Sequence, residues 1–178
     1  MAVPVIRQLT TIGTRELEGL CDVLIDCVEG GASINFMLPM TRAKAEAYWN
    51  AVKASLERGE RALVIAEDPA DGMILGSAQA IWAGPENQPH RADLSKMIVH
   101  RRARRHGVGK LVLAAAERAA LEAGRTLLVL DTASADAERL YERGGWQRVG
   151  AIPKFALLPD GPFVATVFFY KDLAAGEH

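Results

Sequence analysis

"RADLSKMIVHRRARRHGVGKLVLAAAERAALEAGRTLLVLDT", residues 91–132, changes its hydrophobic period twice, and those changes decide the fold. Residues 91–99 alternate at first and turn wholly apolar at Met97, Ile98 and Val99, the pattern of a strand that becomes buried on both faces. From Val108 the period lengthens: Val108, Leu111, Val112, Ala115 and Ala119 share one face of a helix that Gly124 can end. Residues 126–132 are then a short continuous apolar run, as in a buried parallel strand reached by a right-handed crossover. The stretch reads as a βαβ unit.

On the N-terminal side, residues 4–10 are strand-like. Residues 14–31 carry Leu17, Leu20, Val23, Leu24 and Cys27 at helical spacing before a Gly-Gly stop. Thr41 can cap a second helix that ends near Gly59, with Ala47, Ala51, Val52 and Leu56 as its expected apolar stripe. Residues 61–68 and 73–83 are predicted to form an antiparallel hairpin around "PADG". Downstream, residues 134–145 are a brief helix with Ala137 and Tyr141 one turn apart, followed by strands at 146–152 and 163–173 around a Pro/Gly-rich loop. A length of 178 residues suits one domain, expected to span 1–178. The fold class expected is α/β, a mixed twisted sheet of about seven strands flanked by helices.

Composition narrows the function. Half the residues are apolar (49%) and 24% are charged, as in ordinary soluble globular proteins. A formal net charge of -1 argues against a surface built for nucleic acid, so any cationic site is local. Cys21 and Cys27 fall on different faces of a helical segment and are expected as buried free thiols. The first residues lack a secretory h-region, and no apolar run approaches the ~20 residues of a membrane span. These features predict a cytoplasmic protein with no membrane or nucleic-acid partner. The β-rich "FVATVFFY" segment could support a homodimer.

The arginine-rich stretch before the long helix admits several readings. A Walker A loop is excluded because Leu111 follows Lys110 where a hydroxyl is needed for magnesium. A dinucleotide fingerprint is excluded because Val112 stands at the third glycine position. What remains is R-x-x-G-x-G, Arg104, Gly107 and Gly109, at a strand-to-helix junction where unpaired N–H groups and cations can hold a pyrophosphate. From spacing alone a solvated basic loop fits as well.

In sequence company the motif says more. The series of strand, R-x-x-G-x-G, amphipathic helix, apolar strand and "SADAERLYERGGWQRVG" resembles the GNAT superfamily of acetyl-CoA-dependent N-acetyltransferases. More narrowly, "EGGASINFM", "RADLSKMIV", "LVLDT" and "ALLPDG" are similar to the tabtoxin-resistance group within it. The resemblance implies a sheet splayed between its fourth and fifth strands, with acetyl-CoA as co-substrate and its pantetheine arm in the gap. Backbone around Met97, Ile98 and Val99 would meet the arm and supply an oxyanion N–H. Arg104, Arg105, His106, Gly107, Val108, Gly109 and Lys110 would hold the pyrophosphate. Ser134 stands where the family usually has a pantetheine-contacting Asn, and Trp146 where it usually has Phe.

The resemblance also implies direct attack by a neutral amine, with Tyr141 as the acid for the departing thiolate. Asp131 and Asp93 are candidate bases, Asp131 at the C-terminal end of an apolar strand where sites commonly form. The acceptor expected is a small amino-acid-like, toxin or antibiotic-like amine. Acetylation of protein N-termini or lysines, and a non-catalytic CoA-binding regulatory module, are the alternatives. Ser33 and Asn35, in a Gly-rich loop, are possible acceptor contacts, while Tyr48 and Trp49 are expected to pack. His90, His100 and His106 lack ligand spacing, so no metal is expected.

Overall fold

The computed structural model describes residues 3–174. Strand β1 (Val5–Leu9) leads into helix α1 (Thr14–Glu29), then α2 (Arg42–Glu57), the hairpin β2 (Arg61–Glu67) and β3 (Ile74–Trp82), and β4 (Arg91–Val99). A short 3-10 turn (Arg101–Ala103) precedes α3 (Val108–Glu122), β5 (Leu127–Thr132), α4 (Ala135–Arg143), β6 (Gln147–Leu157) and β7 (Phe163–Asp172). All seven strands form one mixed sheet in the order β1-β2-β3-β4-β5-β7-β6. The expected α/β sheet of about seven strands is thus present, with β4 and β5 as its parallel pair.

The two faces of the sheet carry separate cores. On one face α3 and α4 cover Ala92, Leu94, Leu128 and Leu130; on the other, α1 and α2 cover Leu63, Ile65 and Ile98. Alternation explains the division, because successive strand residues point to opposite faces and the central strands β2 and β3 are buried almost throughout.

Three local details differ from the expected pattern, the simplest being that Leu111 of α3 is exposed rather than on the packed face. Thr41 does cap α2, its hydroxyl accepting the Lys44 N–H at 3.3 Å, but the buried stripe is Ala45, Trp49, Val52, Ser55 and Leu56, with Ala47 and Ala51 exposed. Trp49 sets the rotation: an indole removes far more apolar area from water than two methyl groups do. Likewise β6 does not stop at Ile152 but runs through Pro153 to Leu157. It is an edge strand, where a proline's missing N–H costs no ladder bond, and the register shift between Ile152 and Ala156, with Lys154 at φ 52, absorbs the kink.

The feature that makes the site lies in β4. Its ladder with β5 closes only at Arg91–Leu127, Ala92–Leu128 and Asp93–Val129. Beyond that the strands part, while β5 stays paired to β7 as far as Thr132. The partner register of β4 also slips, from Ser95 opposite Gln79 to Ile98 opposite Ser77, so Lys96 and Met97 together face Ala78. This bulge, with Lys96 at φ 48, corrects the expectation for Met97–Val99: Ile98 is buried, but Met97 and Val99 border a gap rather than a neighbouring strand.

Candidate active site

The splay opens a cleft of about 1130 Å³ between β4 and β5, floored by α3 and α4. Met97, Ile98 and Val99 line one wall and Asp131 to Ser134 the other. His100 donates its N–H to the Leu75 carbonyl at 2.9 Å, so by strand alternation Met97 and Val99 turn their backbone groups to the gap and Ile98 turns its own toward β3. The Val99 carbonyl is already engaged, accepting from Cys27 Sγ and from Arg104 Nε, each at 3.4 Å.

At the C-terminal end of β4 the chain folds into a cationic cradle. Arg105 (φ 65) and Gly107 (φ 81) are both left-handed, which reverses the chain and presents the first turn of α3 to the cleft. At Gly107 a side chain would meet nothing within 4 Å, so its backbone conformation rather than lack of space calls for glycine. It caps α3 with no side-chain acceptor, which leaves the opening N–H groups of the helix free. Arg104, Arg105 and Lys110 border the same space, and Gly109 passes close to Leu140 of α4. Free amides under the positive end of a helix, with three cations beside them, match the charge and acceptor geometry of a diphosphate. The His106 side chain is exposed and outside the cleft lining; the Val108 side chain is buried in the core, so only its amide faces the cradle.

Asp26, which the sequence reading did not single out, fixes where the cradle begins. Its carboxylate accepts the Arg101 N–H at 2.7 Å and the Arg101 guanidinium at 2.8 Å, tying α1 to the turn after β4. Those bonds outweigh burial, which opposes them, and hold its pKa below the usual carboxylate value. A depressed folded-state pKa adds stability that is present above the unfolded value of about 4 and is lost as pH falls through the folded value. Asp26→Ala is therefore expected to flatten the acid limb of a melting-temperature profile below about pH 4, and to weaken diphosphate binding several-fold in calorimetry at pH 7. An unchanged acid limb would show that this pair does not support the turn.

Asp131, next to last in β5, lines the gap and accepts the Thr166 hydroxyl at 2.7 Å. Thr166 is buried on β7 and fixes the carboxylate's orientation across the sheet. Tyr141, on α4, is 4% exposed, its ring packed at 5.7 Å from Trp146 and 5.9 Å from Phe169, with its edge on the cleft. Burial, with the Asp131 charge adding to it, pushes the phenol far above its ordinary value, so it is protonated across the working range. Ser134 borders the cleft but commits its hydroxyl to the Ala137 N–H at 3.4 Å, as the N-cap of α4.

Asp93 is not brought to this group. It sits at the last position of β4 paired to β5, half-exposed, and its carboxylate binds Arg91 at 2.6 Å outside the cleft lining. Far from the cradle, Ser33, Ile34, Asn35, Lys96 and Leu158 close the cleft; the Ser33 hydroxyl donates to the Leu157 carbonyl at 3.2 Å, and Leu38 donates to the Pro159 carbonyl at 3.0 Å. Thr166, Asp26 and Lys96 carry no local motif; each is placed by a contact between distant segments. Trp49 is fully buried as expected, and Tyr48 packs edge-on to it.

Comparison with known proteins places these features in context. Residues 58–148 match the family profile of the acetyltransferase (GNAT) domain. An uncharacterised N-acetyltransferase from the hisH-hisA intergenic region of Azospirillum brasilense is 34% identical over 128 residues, 71% of this chain and 73% of that protein. Among solved structures, the ribosomal-protein-alanine N-acetyltransferase of Brucella melitensis superposes with a TM-score of 0.77 at 22% identity, over 95% of this chain and 99% of that one. A GNAT superfamily phosphinothricin acetyltransferase from Sinorhizobium meliloti, in complex with acetyl-CoA, gives 0.78 at 18% identity, over 96% and 89%.

Proposed function

The chain belongs to the GNAT acetyltransferase family, and from that premise we propose that it transfers the acetyl group of acetyl-CoA to the amine of a small amino-acid-like molecule, of the toxin or antibiotic type. One observation supports the reading above others: the cleft joins a diphosphate cradle at one end to an opposed phenol and carboxylate at its middle. The cradle of Arg104, Arg105, Lys110 and the first amides of α3 fits the pyrophosphate of CoA, and acetyl-CoA supplies the activated acyl carbon.

The residues divide the work. The Met97 backbone and the Val99 N–H border the gap and are available to a pantetheine arm, and the Met97 N–H is the candidate oxyanion donor. Asp131 attracts the cationic acceptor and takes up a proton from its ammonium, directly or through water, because only the neutral amine has a lone pair for attack. The amine nitrogen bonds to the acetyl carbon as the carbon–sulfur bond breaks; one proton leaves nitrogen and one ends on sulfur. Tyr141 was expected to hand its own proton to the thiolate. A phenol near 10 already lies above a thiol near 8.5, so that transfer is uphill before burial raises it further. The phenol instead steadies the departing sulfur by donating a hydrogen bond. Asp93 has no part in this scheme.

Titration with acetyl-CoA and desulfo-CoA by calorimetry, followed by thiol release with a panel of amines, tests the proposal. Micromolar binding of both, lowered about tenfold or more in Arg104→Ala, with amine-dependent thiol release, is the expected result. Absence of binding would overturn the assignment of the cradle.

A further inference from the structure

Lys96 takes no part in the scheme above, yet the fold places it with care. It occupies the β4 bulge in a left-handed conformation, φ 48, which a lysine adopts only under constraint from its surroundings. Bulges redirect side chains, and this one sends the lysine to the face of the sheet covered by α1 and α2. There its ammonium lies 5.6 Å from the ring centre of Tyr48 and 5.9 Å from that of Phe36. The two rings meet edge-on at 5.3 Å, so they form a corner rather than a cage. The corner is braced from behind: Gln79 donates to the Tyr48 hydroxyl at 3.0 Å and accepts from Arg61 at 2.7 Å.

Apart from the faces of these two rings, the cation has no partner among the described residues: no carboxylate lies within ion-pair distance of the Lys96 ammonium and no acceptor within hydrogen-bond distance, although the residue lines the cleft. Burial lowers its pKa and Arg61 adds to that effect, while the charge of Asp131 opposes both. Asp131 thus stands within electrostatic reach of Lys96 on one side and of Tyr141 on the other. Across one cleft an acidic and a basic group face each other without meeting, which is the complement of a zwitterion. A polyamine or a lysine-rich peptide would bring its charge against Lys96.

Building on the reading of Asp131 as the amine-facing group, we propose that Lys96 is a specificity-determining residue that binds the carboxylate of the acceptor, so that the acceptor is an amino acid or a close analogue. The aromatic corner then accommodates the carbon chain between the two charged ends, and the Ser33–Asn35 loop closes over it.

The test compares matched acceptors at saturating acetyl-CoA: glycine, β-alanine, γ-aminobutyrate, L-lysine and L-glutamate, each beside its carboxamide. The quantity read is the ratio of kcat/KM for acid over amide, in wild type, Lys96→Met and Lys96→Arg. The differing basicity of the two amines cancels when ratios are compared between variants. In wild type the best acid is expected to exceed its amide by tenfold or more. In Lys96→Met that ratio is expected to fall to near unity through the acceptor KM, and in Lys96→Arg to recover in part. A purely structural role would lower acid and amide alike and leave the ratio intact. That result, or amides preferred by the wild type, or no acid acetylated, overturns the proposal. Loss of acetyl-CoA binding itself would instead overturn the acetyltransferase site, so the two failures are distinguishable.

Discussion

Tyr141→Phe is expected to lower kcat by about 10²-fold while the acetyl-CoA Kd stays within about twofold of wild type. The phenol makes no hydrogen bond to the protein among the described residues, so nothing in the fold is lost with its oxygen. The ring stays between Trp146 and Phe169, and the melting temperature should hold or rise slightly, since a hydroxyl without a protein partner contributes little to stability. What is lost appears only as charge grows on sulfur, and an interaction made only in the transition state lowers kcat and kcat/KM together. The pH profile separates this role from that of a tyrosinate base. Because burial drives the phenol far above its ordinary value, its ionisation lies outside the assay range, and the rise of activity with pH belongs to the acceptor amine. The variant should retain the same rising limb at a lower plateau. Equal plateaus, measured where chemistry limits turnover, would remove Tyr141 from the reaction.

The βαβ unit was legible because its two changes of period are properties of neighbouring residues, and α3 and β5 follow from them within a residue or two. The strand-to-helix junction at Gly107 was legible for the same local reason, though not its left-handed conformation. Tyr141 was placed one turn from Ala137 by helical spacing, and both do pack on the α3 side. Groups set by pairing between distant segments were not legible. Asp131 and Asp93 look alike as acidic strand residues, and only the ladder shows that one reaches the splay while the other is paired before it opens. Thr166 meets Asp131 across 35 positions and Asp26 meets Arg101 across 75, with no local signal for either. The bulge at Lys96 contains no glycine, so the usual mark of a positive φ is absent. Pro153 misled for a related reason: proline ends a strand by removing a ladder bond, and whether that bond exists depends on which strand lies at the edge.

Gly76→Val is expected to have the largest effect on stability, about 3 kcal/mol, seen as a melting temperature lowered by about 6–12 °C for a domain of this size. A Cβ at Gly76 would lie 2.7 Å from the Ile98 carbonyl oxygen and 3.3 Å from Val108 Cγ1. The first neighbour is backbone and has no rotamer by which to withdraw. To admit the side chain, β3 and β4 have to separate where His100 donates to Leu75, beside the slip in register that opens the cleft. The cost does not stop at the core. Displacing Ile98 moves Met97 and Val99 with it, and the Val99 carbonyl is what Arg104 binds at the start of the cradle. Acetyl-CoA affinity should therefore fall along with stability, at temperatures where the variant remains folded. Gly150→Ala on edge strand β6, where a Cβ meets nothing within 4 Å, is the control, expected to change stability by under about 0.5 kcal/mol. If Gly76→Val melted like wild type, the close approach of β3 to β4 would not be what holds the bulge, and the splay would have to arise on the β5 side, from its pairing with β7 and the Asp131–Thr166 bond.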